Sequence, residues 1–163
     1  MPGSFTFEKY FSGKYLGELV RLVWTGVMQE LGMPPIEYFI LPESLTTKDV
    51  SDIVAEKGDV IMQKVPSDTS KIILRHICLL LSERAAVLVA LTIATYLNRL
   101  AHPYTVIAVT GSLYKLHPTL STRLEEHTMR LTKHKFSYKL CDDGSGKGAG
   151  LVAAIAHRLS KQG

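Results

Sequence analysis

The chain has 163 residues, 46% of them hydrophobic and 21% charged, and its 19 Lys and Arg against 15 Asp and Glu leave a formal charge of +4. That apolar content offsets the entropy of ordering and excludes a disordered chain, while the length fits one segment, 1–163, of a single domain. The basic excess, with a pI of about 9.1, is too mild and dispersed for a nucleic-acid footprint; the basic stretch Arg130 to Lys139 reads as a solvated face.

Cys78 and Cys141 stand in separate segments without metal-ligand spacing, which supports neither a disulfide framework nor a zinc site and fits a reducing compartment. The first residues, Met1 to Glu8, lack a basic region followed by an apolar one. A cytoplasmic location is expected, or an organelle where a signal precedes this segment. The most apolar stretch, Ala85 to Leu97, is shorter than the roughly 20 residues of a bilayer-spanning helix. It reads as a buried core helix, with no membrane partner.

In chain order, Leu16, Leu19, Val20, Val23, Trp24, Val27 and Leu31 recur at three- and four-residue spacing, predicting a helix over Tyr15 to Leu31 with these residues on its buried face. Gly32 ends it and Pro34-Pro35 forbid continuation. A short helix is expected over Thr46 to Glu56, with Thr46 or Thr47 as N-cap and Val50, Ile53 and Val54 inward. Ser67 opens another segment, and from Ile72 to Leu100 the chain is apolar nearly all round, the pattern of a helix packed on more than one side. His102-Pro103 breaks it. Tyr104 to Val109 reads as a buried strand ended by Thr110-Gly111, Thr119 to Thr132 as a helix and Lys135 to Leu140 as a second strand. Asp142 to Gly148 reads as a glycine-rich turn into a last helix, Ala149 to Leu159. This order predicts two parallel strands joined by a crossover. Two strands are a poor sheet, so further strands of the domain are expected elsewhere.

Gly144-Ser-Gly-Lys-Gly148 has glycines that could admit a phosphate at a helix start. It fails as a Walker loop, because Gly148 follows Lys147 where Ser or Thr is needed, and as a dinucleotide fingerprint, because Ala149 holds the third glycine position. A tight packing turn is the plainer account. Thr110 to His117 follows the first strand, where ligands of open α/β sheets bind; the plainer account there is an exposed Lys115 and an ordinary loop histidine. The other histidines lie without metal-ligand partners, and no nucleophile motif is present.

Four motifs in order, Phe7-Glu-Lys-Tyr-Phe-Ser-Gly-Lys-Tyr-Leu-Gly-Glu-Leu-Val-Arg21, Ser82-Glu-Arg-Ala-Ala86, Val109-Thr-Gly-Ser-Leu-Tyr-Lys-Leu-His-Pro118 and Asp142-Asp-Gly-Ser-Gly-Lys-Gly148, resemble the C-terminal part of the hexokinases. The resemblance covers nearly the whole chain and is weakest from Met33 to Glu43, where the family carries a longer connection. It implies an α/β fold: the helix-rich C-terminal half of an actin-like, ribonuclease-H-like ATPase domain with few parallel strands. It also implies ATP-dependent phosphorylation of a hexose, glucose above all, at the 6-hydroxyl, with MgATP as phosphoryl donor.

By position, Glu8 matches the family's sugar-binding glutamate; Gly13 and Lys14 match a turn against the nucleotide phosphates. Thr47, Lys48 and Ser51 match a nucleotide-contacting pattern, with Asp49 an unusual neighbour. Gly111, Ser112, Leu113, Tyr114, Lys115 and Leu116 match the adenosine-side motif, and Asp143 to Gly148 a connecting motif that acts as hinge more than phosphate cradle. Thr110 replaces the family's aspartate, which bears on nucleotide affinity, and Gly150 replaces an alanine at roughly 1 kcal/mol of helix propensity. The segments that carry the family's phosphate loops, other sugar ligands and catalytic aspartate have no counterpart. No catalytic and no metal-ligating residue is therefore assigned, and the chain alone is expected to be inactive. Uncovered apolar faces are expected to drive self-association. The alternative is a truncated, non-catalytic module that binds nucleotide or a partner through the uncovered face of the Ile72 to Leu100 helix.

Overall fold

The computed structural model describes residues 3–142 and 144–161. In chain order the elements are α1 (Thr6–Phe11), α2 (Leu16–Glu30), α3 (Glu37–Ile40), α4 (Thr47–Val54), α5 (Asp59–Met62), α6 (Asp68–Leu100), β1 (Tyr104–Val109), α7 (Ser112–Leu116), α8 (Leu120–Leu131), β2 (Lys135–Leu140) and α9 (Gly144–Ser160). The 33-residue α6 is the axis. Its first half packs against α2 and α4, and its second half against α8.

Helix α2 forms because Leu16, Val20, Trp24 and Met28 recur every four residues and bury one stripe. It stops at Gly32, whose φ of +66° suits glycine, with Gly32 N–H donating to Gln29 O at 3.0 Å and Met33 N–H to Met28 O at 2.9 Å. Two residues predicted inward are not: Val23 and Leu31 are 41% and 57% exposed. The buried stripe is displaced toward Gly17 and Arg21, because α4 and α3 cover that side.

Helix α4 begins with a reciprocal capping box, in which Asp49 N–H donates to Thr46 Oγ1 and the Asp49 carboxylate accepts from Thr46 N–H. Asp49, unusual beside a nucleotide, is thereby explained by the helix start. Buried Trp24, Phe39, Leu45, Ile53 and Leu74 make the main core. A second, smaller cluster forms where Ala85 and Ala86 on α6 seat Leu120 of α8, with Phe11 and Leu113 packed against them; Ala90, Ala94 and Leu124 are buried as well.

Strands β1 and β2 pair in parallel, from Tyr104 opposite Lys135 to Val109 opposite Leu140, with α8 in the connection. Among the described residues the sheet has two strands only. Three sequence expectations change. β1 is not a buried strand: its residues alternate exposed and half-buried, with Tyr104 and Val106 more than half exposed, because among the described residues the sheet has no further strand to enclose it. Ser112 to Leu116 is a helical turn rather than loop, and the glycine-rich segment from Gly144 is already helix. None of Gly144, Gly148 and Gly150 has a positive φ, so the Ala-rich run propagates helix through them. Asp143, counted with that motif, lies outside the described residues. By length and composition α6 also passes the test for a membrane span, with a window of mean hydropathy 2.0, because the helix extends well beyond Ala85 to Leu97. Here its buried residues, from Ser70 to Leu97, face α2, α4 and α8.

Candidate functional site

The turn after α1, the start of α4 and the segment after β1 meet. Thr47 Oγ1 donates to Gly13 O and accepts from Gly17 N–H at 3.3 Å. One hydroxyl thus ties the turn, α2 and α4 together. Ser12 Oγ accepts from Lys14 N–H at 3.1 Å and tightens the same turn. A Cβ at Gly13 would stand 3.4 Å from Leu113 Cβ, so this glycine lies directly against α7. Gly111, with φ +123°, has open space beside it; the backbone conformation rather than crowding calls for glycine there.

Two adjoining clefts share Gly13, Ser112 and Leu113. The first, of about 470 Å³, is bordered by Glu8, Gly13, Lys14 and Gly111 to Tyr114 over a floor of Ala85, Ala86, Val89 and Leu124. The second, of about 440 Å³, is bordered by Gly13, Thr47, Lys48, Ser51, Ser112, Leu113, Leu116 and His117. Eleven of the twelve residues singled out in the sequence therefore border one cleft or the other. Lys115 borders neither and pairs with Asp142 at 3.1 Å.

Glu8 sits in the first turn of α1, half-buried, so its place fits both a helix-entry acid and a cleft ligand. Lys48 is 82% exposed and reaches Asp52 at 2.6 Å; that hydrogen bond holds its ammonium above the ordinary lysine range. Ser51 Oγ donates back to Thr47 O at 2.9 Å. Removing only the Thr47 hydroxyl, with Thr47→Val, is expected to cost about 1–2 kcal/mol in urea unfolding, because Gly13 O and Gly17 N–H both lose a partner. Thr47→Ser should retain wild-type stability within about 0.5 kcal/mol; equal stability of the Val variant would refute the tie.

Sequence reasoning missed how Ser82 to Ala86 acts. Ser82 Oγ lies 3.0 Å from His117 Nε2; Glu83 meets His127 at 2.7 Å and Arg123 at 3.5 Å on α8; and Arg84 stacks over the Tyr10 ring at 5.2 Å. Ala85 and Ala86 floor the first cleft. The motif is where α1, α7 and α8 converge on α6. His117 is not an ordinary loop histidine but 4% exposed, and burial lowers its pKa. Tyr138, half-buried behind Tyr114 and bonded to Thr128, has its phenol pushed up to about 12 by burial.

The hexokinase family profile matches residues 1–155. The chain belongs to the hexokinase family. It is 40% identical to human Hexokinase-1 and 39% identical to rat Hexokinase-1, each over 181 aligned residues that take in 99% of this chain and 20% of the relative. The hexokinase of Schistosoma mansoni complexed with glucose superposes with a TM-score of 0.82 and 31% identity, over 91% of this chain and 37% of that one. A second hexokinase crystal structure, 24% identical with a TM-score of 0.72, shares the fold. This hexokinase-family chain thus spans about a fifth of the length of the curated relatives it matches. Its helix-rich α/β architecture with a two-stranded parallel sheet is that of the corresponding part of an actin-like ATPase domain.

The Mg²⁺ that accompanies ATP in the family has no evident protein cage here. Among the described residues no three His, Cys, Asp or Glu side chains are grouped to hold an ion. The carboxylates at the clefts are Glu8 and Asp52, and Asp52 is committed to Lys48.

Proposed function

We propose that this chain forms the nucleotide-side wall of a hexokinase that transfers the ATP γ-phosphoryl group to the 6-hydroxyl of a hexose, with glucose as the reference substrate. The supporting observation is convergence: segments around Gly13, Thr47 and Ser112, far apart in sequence, border two clefts that share a wall. In this reading Lys14, Lys48 and the hydroxyls of Thr47, Ser51 and Ser112 face MgATP, and Glu8 accepts hydrogen bonds from the sugar.

In this reading the catalytic base comes from outside this chain, and each aspartate among the described residues is engaged elsewhere or lies away from the clefts. Asp49 closes the α4 capping box, while Asp52, Asp68 and Asp142 pair with Lys48, Lys71 and Lys115. Asp59 lies in the first turn of α5, away from both clefts. With MgATP and saturating glucose, the chain alone is expected to form no glucose 6-phosphate above a control lacking protein. Turnover that is lost in a Lys48→Ala/Ser112→Ala variant would overturn that expectation and place a base among these residues.

The second reading, a non-catalytic module that associates with a partner, draws on α9. Leu151, Val152, Ile155 and Leu159 are each more than half exposed, and no α9 residue is buried. Such a face favours association, with a second copy or with a complementary hexokinase segment. Concentration-dependent sedimentation that disappears on replacing Val152 and Ile155 by Ser would support it; a monomer at all concentrations would remove it.

A further inference from the structure

Ser82 and His117 form a buried polar pair between the middle of α6 and the C-terminal end of α7. Their exposures are 3% and 4%, and Ser82 Oγ stands 3.0 Å from His117 Nε2. The other ring nitrogen, Nδ1, accepts from Thr119 N–H at 3.4 Å, which assigns the proton of the neutral ring to Nε2 and makes it the donor to Ser82. The bond therefore has a direction, and it leaves neither ring nitrogen unpaired.

Helix α7 has only five residues and no side-chain cap at its start. So short a helix does not hold itself. Its inward anchor is Leu113, packed against both hydrophobic clusters, and its end is fixed by His117, whose N–H donates to Leu113 O at 3.1 Å. Ser112 and Leu116, at its two ends, border the cleft that Thr47 and Lys48 border from the other side. Burial by itself does not call for a hydroxyl at position 82: further along α6 the small buried residues are Ala85, Ala86, Ala90 and Ala94.

We infer that Ser82 is a positioning residue: through His117 it holds α7 in register and so sets the Ser112–Leu116 wall of the cleft. Its functional consequence rests on the proposed nucleotide role of that cleft. Breaking the pair leaves a buried N–H without an acceptor, and the ring can then turn away and release the end of α7.

The test uses the full chain with three variants: Ser82→Ala, His117→Gln, which keeps an N–H donor near the Nε2 position, and Ile77→Val, a core change on α6 that borders neither cleft. Amide hydrogen exchange at Ser112 to His117 is expected to speed up about tenfold in Ser82→Ala, beyond any global change. It should follow only global stability in Ile77→Val and stay near wild type in His117→Gln. By calorimetry, Ser82→Ala should weaken MgATP about tenfold, and Ile77→Val should leave its affinity unchanged. Unchanged local exchange in Ser82→Ala overturns the assignment whatever the nucleotide does. Accelerated exchange in a chain whose wild type binds no MgATP overturns instead the nucleotide reading, and with it the functional half of the inference.

Discussion

Gly17→Ala is expected to destabilise the chain by at least ~3 kcal/mol, whereas Gly26→Ala in the same helix should stabilise it by about 0.5–1 kcal/mol. An added Cβ at Gly17 would stand 2.1 Å from Leu45 O and 2.6 Å from Thr46 C, and these are backbone atoms that cannot swing aside. Relief requires α2 to move off the start of α4, which also breaks the bond from Gly17 N–H to Thr47 Oγ1. At Gly26 nothing lies within 4 Å, so alanine adds only helix propensity. Both variants share one helix and one chemical change, so their difference in urea unfolding isolates the contact. A Gly17→Ala chain as stable as wild type would show that α2 and α4 are not locked together there.

Arg21→Met is expected to cost about 3 kcal/mol at pH 7, since breaking a buried ion pair leaves its partners unpaired. Arg21 is 7% exposed, makes two bonds to Glu18 at 2.6 and 2.7 Å, and donates to Phe39 O at 2.8 Å. Glu18 in turn accepts from Glu43 N–H at 2.8 Å, so one clamp fixes α3 and its following turn on α2. The Arg21 guanidinium holds the Glu18 carboxyl below its ordinary range. A depressed carboxyl contributes stability that is fully present above its unfolded pKa, near 4.3, and lost as pH falls through the lower folded value. The difference between wild type and Arg21→Met should therefore be constant near neutrality and shrink below about pH 4. A difference independent of pH would mean that lost packing, rather than lost charge, carries the effect.

Much of the fold is legible from local pattern. The four-residue spacing of Leu16, Val20, Trp24 and Met28, the Thr46 cap, the apolar run along α6 and the β-branched run in β1 each specify an element whose physics is local. The short α1, α3, α5 and α7 are not legible, because helices of four to six residues take their stability from contacts and not from propensity. Glycine misled for a related reason. At Gly144 to Gly148 it reads as a turn, yet helix propagates through it from the alanine-rich run, whereas Gly17 carries no local signal and is crowded by backbone.

The sequence by itself determined the hexokinase family, the principal helices, the parallel pairing and the identity of the residues around the clefts, since motifs and periodicities are properties of near neighbours. Only the tertiary structure decided what those residues do to one another. Thr47 joins Gly13 and Gly17, Asp49 serves a cap, Lys115 turns away to Asp142, and Ser82 finds His117 across 35 residues of chain. A side-chain hydrogen bond between distant segments leaves no period in the sequence. It exists because packing of α6 against α2 and α8 brings donor and acceptor within 3 Å and takes away the water that would otherwise serve both.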